Sequence, residues 1–151
     1  MSRATSGVAF SAEDVALLGE IADTILPATS TPGAKAAGVG SFIALMVTDA
    51  YDANQQRIFR AGLATIENDC RRVHGVGFMA ATAQQRLALL DRADREQFDG
   101  GGRTRRGEPH YFRQLKELTL LGYFTSEIGY TQALRYAETP GRFDPCVPYT
   151  P

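Results

Sequence analysis

Four times along this chain a small polar residue stands just before a run whose apolar side chains recur every three to four positions. Those residues are Ser11, Ser41, Asp52 and Thr82. Each can cap the free backbone N–H groups of a helix start, and a 3.6-residue apolar period gives that helix one face to bury. Ser11 is followed by Asp14 and Thr82 by Gln85, the spacing at which the two side chains cap each other's backbone. No alternating pattern runs longer than a few residues. The chain is therefore restricted to helix-on-helix packing.

The first helix is predicted from Ser11 to Pro27, with Phe10 and Val15 placed as a staple across its start. Val15, Leu18, Ala22 and Ile25 form its stripe, widened by Leu17 and Ile21. A loop of small residues follows from Pro27 to Gly40. The second helix, Phe42 to about Ala50, is capped by Ser41; it is apolar on most sides and so is placed centrally. The third runs from Asp52 to His74 with a stripe of Phe59, Leu63, Ile66, Cys70 and Val73, and Gly75 fits the residue after its end. The fourth, from Thr82 to about Phe98, turns Leu87, Leu90 and Ala93 inward. Residues 100–107, rich in glycine and arginine, read as a flexible loop open to nicking. A fifth helix starts near Pro109 and reaches about Thr125, and a last short one spans Ile128 to about Tyr136. The tail holds Pro140, Pro145, Pro148 and Pro151, four of the seven prolines, and cannot be helical. The expectation is one all-α domain over residues 1–151: a bundle of about five or six helices, a flexible start at residues 1–9 and an extended Pro-rich tail at 140–151.

A chain of 151 residues can bury roughly 70% of its unfolded surface without help from metals or disulfides. Its net charge of −1 argues against a nucleic-acid binder, which would carry a basic face. No stretch approaches the roughly 20 apolar residues of a membrane span. The first nine residues hold no apolar segment of the kind a secretory leader needs, so either a cytosolic protein or one whose signal has been removed is expected. Cys70 and Cys146 lack metal-site spacing and leave three options: pairing with each other, pairing with a partner, or two thiols.

Catalytic signatures are missing. His74 and His110 lie far apart, each near a predicted helix end. Gly38-Val-Gly40 lacks the third glycine of a dinucleotide fingerprint, and Gly100-Gly-Gly102 lacks the lysine of a phosphate loop. The readings are no catalytic, cofactor-binding or metal-binding residue in this chain. What stands out is the C-terminal third, where aromatics, glycines and arginines crowd together. Tyr123, Phe124, Tyr130, Tyr136, Arg142, Phe143 and Cys146 are the candidate partner interface. The same residues could instead line a pocket in a stand-alone ligand-binding bundle.

Several segments carry a family resemblance: Phe10 to Pro27; Thr31-Pro-Gly-Ala34 with Gly38-Val39; Gly77-Phe78 before the Thr82 helix start; and above all Gly122-Tyr-Phe-Thr-Ser126 with Pro140-Gly141. In these the chain resembles the gluconate 2-dehydrogenase subunit 3 family, the small gamma subunits of bacterial flavin-dependent sugar and sugar-acid dehydrogenases. The resemblance implies a non-catalytic subunit that binds, stabilises and helps export a large catalytic flavoprotein of the glucose-methanol-choline (GMC) type. FAD, and in some complexes an iron–sulfur cluster or haem c, would sit in the partner subunits, one of which can be a multihaem cytochrome c. It further implies a periplasmic place at the membrane, held there by partners, and twin-arginine export. This sequence departs from that last pattern, since no Arg-Arg pair precedes an apolar segment. A cytosolic chaperone or adaptor acting before export is the alternative. In an oxidising periplasm Cys146 could form an interchain disulfide.

Overall fold

A computed structural model of the chain describes residues 10–104, 107–134, 136, 141–143, 145–146 and 148. The expected flexible start, residues 1–9, lies outside the described residues, as do Arg105, Arg106, Arg135 and much of the expected extended tail. Among the described residues there are five α-helices and no strand: α1 Ala12–Ile25, α2 Val39–Asp49, α3 Ala53–His74, α4 Ala83–Asp99 and α5 Tyr111–Phe124. A 3-10 turn spans Phe78–Ala80 and a π-helical turn Gly129–Ala133. The all-α expectation holds.

The helix starts are where their caps require. Ser11 Oγ accepts from the Asp14 N–H at 3.1 Å while the Ser11 N–H donates to Asp14 Oδ2 at 2.9 Å. Asp52 with Gln55, and Thr82 with Gln85, repeat the reciprocal pair. Gly75 closes α3 in the left-handed region at φ 73°. Together Leu18, Ile21, Ile43, Phe59, Ile66, Phe78 and Leu115 form a core with contributions from α1, α2, α3, the 3-10 turn and α5.

Two helix ends differ from the sequence reading. α2 begins at Val39, not after Ser41, because Gly38 takes φ 71° and turns the chain directly into the helix. That earlier start lets Gly40 lie on α1. A β-carbon at Gly40 would stand 2.6 Å from the Val15 carbonyl oxygen and 2.7 Å from the Gly19 nitrogen, so the two helices cross backbone to backbone. The expected last short helix, Ile128 to about Tyr136, is present as the π-helical turn Gly129–Ala133 and ends earlier, since Leu134 is already extended.

Two stripe assignments also fail. Val73 is 48% exposed and Leu87 57% exposed. Val73 falls in the last turn of α3. Leu87 sits one turn before Leu90 at the mouth of a groove between α1 and α4. The glycine loop is tied as well. Arg103 bridges to Pro109, the Thr104 N–H donates to Glu108 O at 2.8 Å, and the His110 N–H donates to Gly102 O at 2.9 Å. Its described parts form a small hairpin rather than a free loop.

Candidate docking face

Helix α5 divides its side chains by period. Phe112, Leu115, Leu118, Thr119, Gly122 and Tyr123 point inward. Gly122 is required there, since its missing β-carbon would lie 2.5 Å from the ring of Phe42 on α2. The opposite side carries the Arg113–Glu117 ion pair in its first half, at 2.8 Å. In its second half the same side carries Leu120, Leu121 and Phe124, all exposed. Helical residues three and four apart are neighbours on the surface, so these three make one apolar ridge.

The chain then folds over the end of α5. Ser126 Oγ donates to Tyr123 O at 2.6 Å and accepts from the Gly129 N–H at 3.0 Å. Gly129 is pressed so closely on the Tyr123 carbonyl that no β-carbon fits. This turn brings Tyr136 edge-on to Tyr130, with ring centroids 4.7 Å apart. Leu134 and Tyr136 are exposed, and Phe143 is 92% exposed. Arg142 and Cys146 are exposed too.

Of the candidate interface residues, the structure puts Phe124, Tyr136, Arg142, Phe143 and Cys146 on the surface and leaves Tyr130 half-buried. Tyr123 belongs to the interior. It is 4% exposed, and its hydroxyl donates to the Pro32 carbonyl at 2.7 Å. Consecutive residues on a helix point about 100° apart, and here that step carries Tyr123 onto the buried face and leaves Phe124 on the exposed one. Leu120, Leu121 and Leu134 were missed by reading aromatics alone. The ridge spacing of Leu120 and Leu121 to Phe124 was the available signal.

The cysteines are placed differently. Cys70 is fully buried and burial pushes its thiol up, as suits a small hydrophobe. Cys146 is exposed, and no disulfide joins the two.

A second concave region, a cleft of about 710 Å³, lies between the end of α4 and the hairpin, lined by Glu96, Asp99, Gly100, Arg103, Thr104 and His110. His110 uses Nδ1 to cap α5, accepting from the Phe112 N–H at 3.2 Å. Among the described residues no group of three or more His, Cys, Asp or Glu could hold a metal ion. No described helix is long and apolar enough to cross a membrane.

Two further polar clusters, neither visible in the sequence, fix the frame behind the face. Arg86 pairs with Glu20 and donates to the carbonyls of Phe78 and Met79 at 2.9 and 2.7 Å. Lys35 reaches the same Glu20 at 2.7 Å. Lys116 on α5 meets Asp94 on α4 at 2.6 Å.

The model of the family described as gluconate 2-dehydrogenase subunit 3 matches residues 12–141, most of the chain. That span includes α1 to α5, the ridge and Tyr136, and stops before Phe143 and Cys146. No curated protein and no solved structure matches.

Proposed function

We propose that this chain, which belongs to the gluconate 2-dehydrogenase subunit 3 family, is a non-catalytic accessory subunit that docks a large FAD-dependent catalytic subunit through its C-terminal face. Family membership supports a place in a multi-subunit dehydrogenase. The observation that carries the docking face is the row Leu120, Leu121, Phe124, Leu134, Tyr136 and Phe143, six large apolar side chains left exposed within two dozen positions of the chain. Three of them, Leu120, Leu121 and Phe124, share one helix face, and an apolar patch of that kind supports a surface that another protein covers. The charged half of α5 beside it, Arg113 with Glu117, gives the polar rim such an interface has.

On this reading the catalytic subunit is a GMC-type flavoprotein that holds FAD and oxidises a sugar or glycoside. This chain holds no cofactor of its own. It stabilises the flavoprotein and assists its maturation and export to the periplasm by the twin-arginine route, where a cytochrome c subunit can take the electrons. Exposed Cys146 is a candidate for an interchain disulfide.

Co-expression of the flavoprotein with and without this chain tests the reading. The expected result is higher yield, FAD loading and activity with it. Equal values in both cultures overturn it. A non-reducing gel of the purified complex tests the cross-link: a band of summed mass that splits on reduction supports Cys146, and an unchanged pattern removes it.

A further inference from the structure

Helix α5 carries the ridge, and its first turn hangs on one imidazole. His110 is the residue before the helix, and its Nδ1 accepts from the Phe112 N–H at 3.2 Å. Only a neutral imidazole has a ring nitrogen free to accept, so this cap exists in one protonation state. The ring is 9% exposed and stacks on Tyr111 at 4.8 Å with planes 25° apart. The His110 N–H holds the hairpin through Gly102 O at 2.9 Å, and its carbonyl accepts from the Arg113 N–H at 3.1 Å. One residue thus ties the hairpin, the start of α5 and the floor of the cleft.

We propose that His110 is an acid-sensitive latch on α5: neutral, it fastens the first turn of the helix; protonated, it lets that turn open. Three effects act in the same direction. The imidazolium has no acceptor for the Phe112 N–H, and its own Nδ1–H then faces that donor. It places positive charge at the positive end of the helix dipole. It also puts a charge where the ring has little contact with water.

The surrounding charges of the described residues do not reverse this. Glu96 and Asp99 of α4 line the cleft on one side, and Arg103 of the hairpin lines it on the other. Glu108 is paired with Arg57 of α3 at 3.0 Å, and Arg113 of α5 with Glu117. Beneath Tyr111, Asp69 of α3 is paired with Arg92 of α4 at 3.0 Å. Burial pushes the imidazole below its ordinary value of 6.5, and the Glu96 carboxylate opposes this only in part. A group depressed in the folded state costs nothing above its unfolded value and destabilises as pH falls below it. The latch is therefore closed above 6.5 and opens in acid. Because α5 ends in the docking ridge, acid also weakens docking; that consequence rests on the function proposed above.

Amide hydrogen exchange of the full chain at about pH 7.5 and about pH 5.0, corrected for the intrinsic rate, reads the latch directly. Phe112 protection is expected to fall roughly five- to tenfold in acid, the size of a lost helix cap. In His110→Asn, whose side chain caps without titrating, it stays flat; in His110→Ala it is low at both pH values. Unchanged Phe112 protection in the parent chain, or the same acid loss in His110→Asn, overturns the latch. Flavoprotein binding measured at the same two pH values separates the two readings. Weaker binding in acid that His110→Asn restores supports the docking consequence, and binding independent of pH overturns that consequence alone. No binding at either pH, with the exchange result intact, overturns the proposed function and leaves the latch standing.

Discussion

The hydroxyl of Tyr123 donates to the carbonyl of Pro32 at 2.7 Å, tying the end of α5 to the loop between α1 and α2. That loop is otherwise held by short links: the Ala34 N–H to Leu26 O at 2.9 Å, and the Lys35 N–H to Asp23 Oδ1 at 3.0 Å. One phenol reaching across the bundle thus adds a long-range tie to a stretch of small residues otherwise fastened to α1.

Tyr123→Phe keeps the ring and removes the donor, leaving the Pro32 carbonyl without it. The expected loss is about 1 kcal/mol, the usual net value of such a bond. Tyr123→Ala also opens a cavity, and about 3–5 kcal/mol is expected. Urea unfolding of the two variants checks this. A Tyr123→Phe protein as stable as the parent would mean the bond adds nothing.

The two glycines at the end of α5 are spared a side chain for different reasons, and they should respond differently to alanine. At Gly122 the obstacle is the Phe42 ring, a side chain that can rotate. At Gly129 it is the Tyr123 carbonyl, backbone that is itself held by Ser126. Gly122→Ala is expected to cost about 1–3 kcal/mol, the range for overpacking, and Gly129→Ala more than Gly122→Ala. Thermal melts of both variants decide it, and the reverse order would show that the π turn is the softer of the two.

The helix starts were legible because a cap is a local event. Ser11, Asp52 and Thr82 lie within three residues of the groups they bond, and α1, α3 and α4 begin where they say. Ser41 misled for the same local reason: it could cap, but Gly38 turns the chain into the helix earlier without a side-chain cap, and the close crossing of Gly40 over Gly19 goes with that earlier start. Leu87 and Val73 fit their stripes and are still left exposed, since a period says which side chains share a face and not how far the next element reaches over it. The Glu20–Arg86 pair joins residues 66 positions apart. No period or spacing carries such a link. The docking region was legible in its composition, but the direction in which Tyr123 and Phe124 point depended on how α5 sits against α2.

Glu20 gives an acid dependence with a defined sign. Lys35 above all, then Arg86, holds its carboxyl below the ordinary value of 4.5 against the opposing effect of burial. A carboxylate depressed in the folded state contributes fully above its unfolded value, and that contribution is lost as pH falls through the folded one. Glu20→Gln leaves Arg86 mostly buried without its counter-charge, and about 2–3 kcal/mol is expected to be lost near neutrality, somewhat under the figure for a wholly buried pair. Below about pH 4.5 the difference from the parent should shrink, because the unfolded parent then takes up a proton that the folded carboxylate still resists. Stability measured by urea at several pH values gives the two curves, and parallel curves would remove Glu20 from the acid response.

The ridge allows a separation that few surface changes permit. Leu120, Leu121 and Phe124 keep 37%, 47% and 37% of their surface exposed, so a serine at one of them costs the fold only what its covered part contributes, about 1–2 kcal/mol. Against a partner they would be buried anchors, and losing one costs about 2 kcal/mol of binding, roughly thirtyfold. Phe124→Ser, which also gives up the edge-on contact with Tyr123, should therefore lower the melting temperature of the isolated chain modestly and leave it folded, while the flavoprotein fails to co-purify. Arg113→Ser, on the charged half of the same helix, should weaken co-purification far less. A Phe124→Ser chain that still captures the flavoprotein at parental affinity would move the interface off α5, whatever the family resemblance implies.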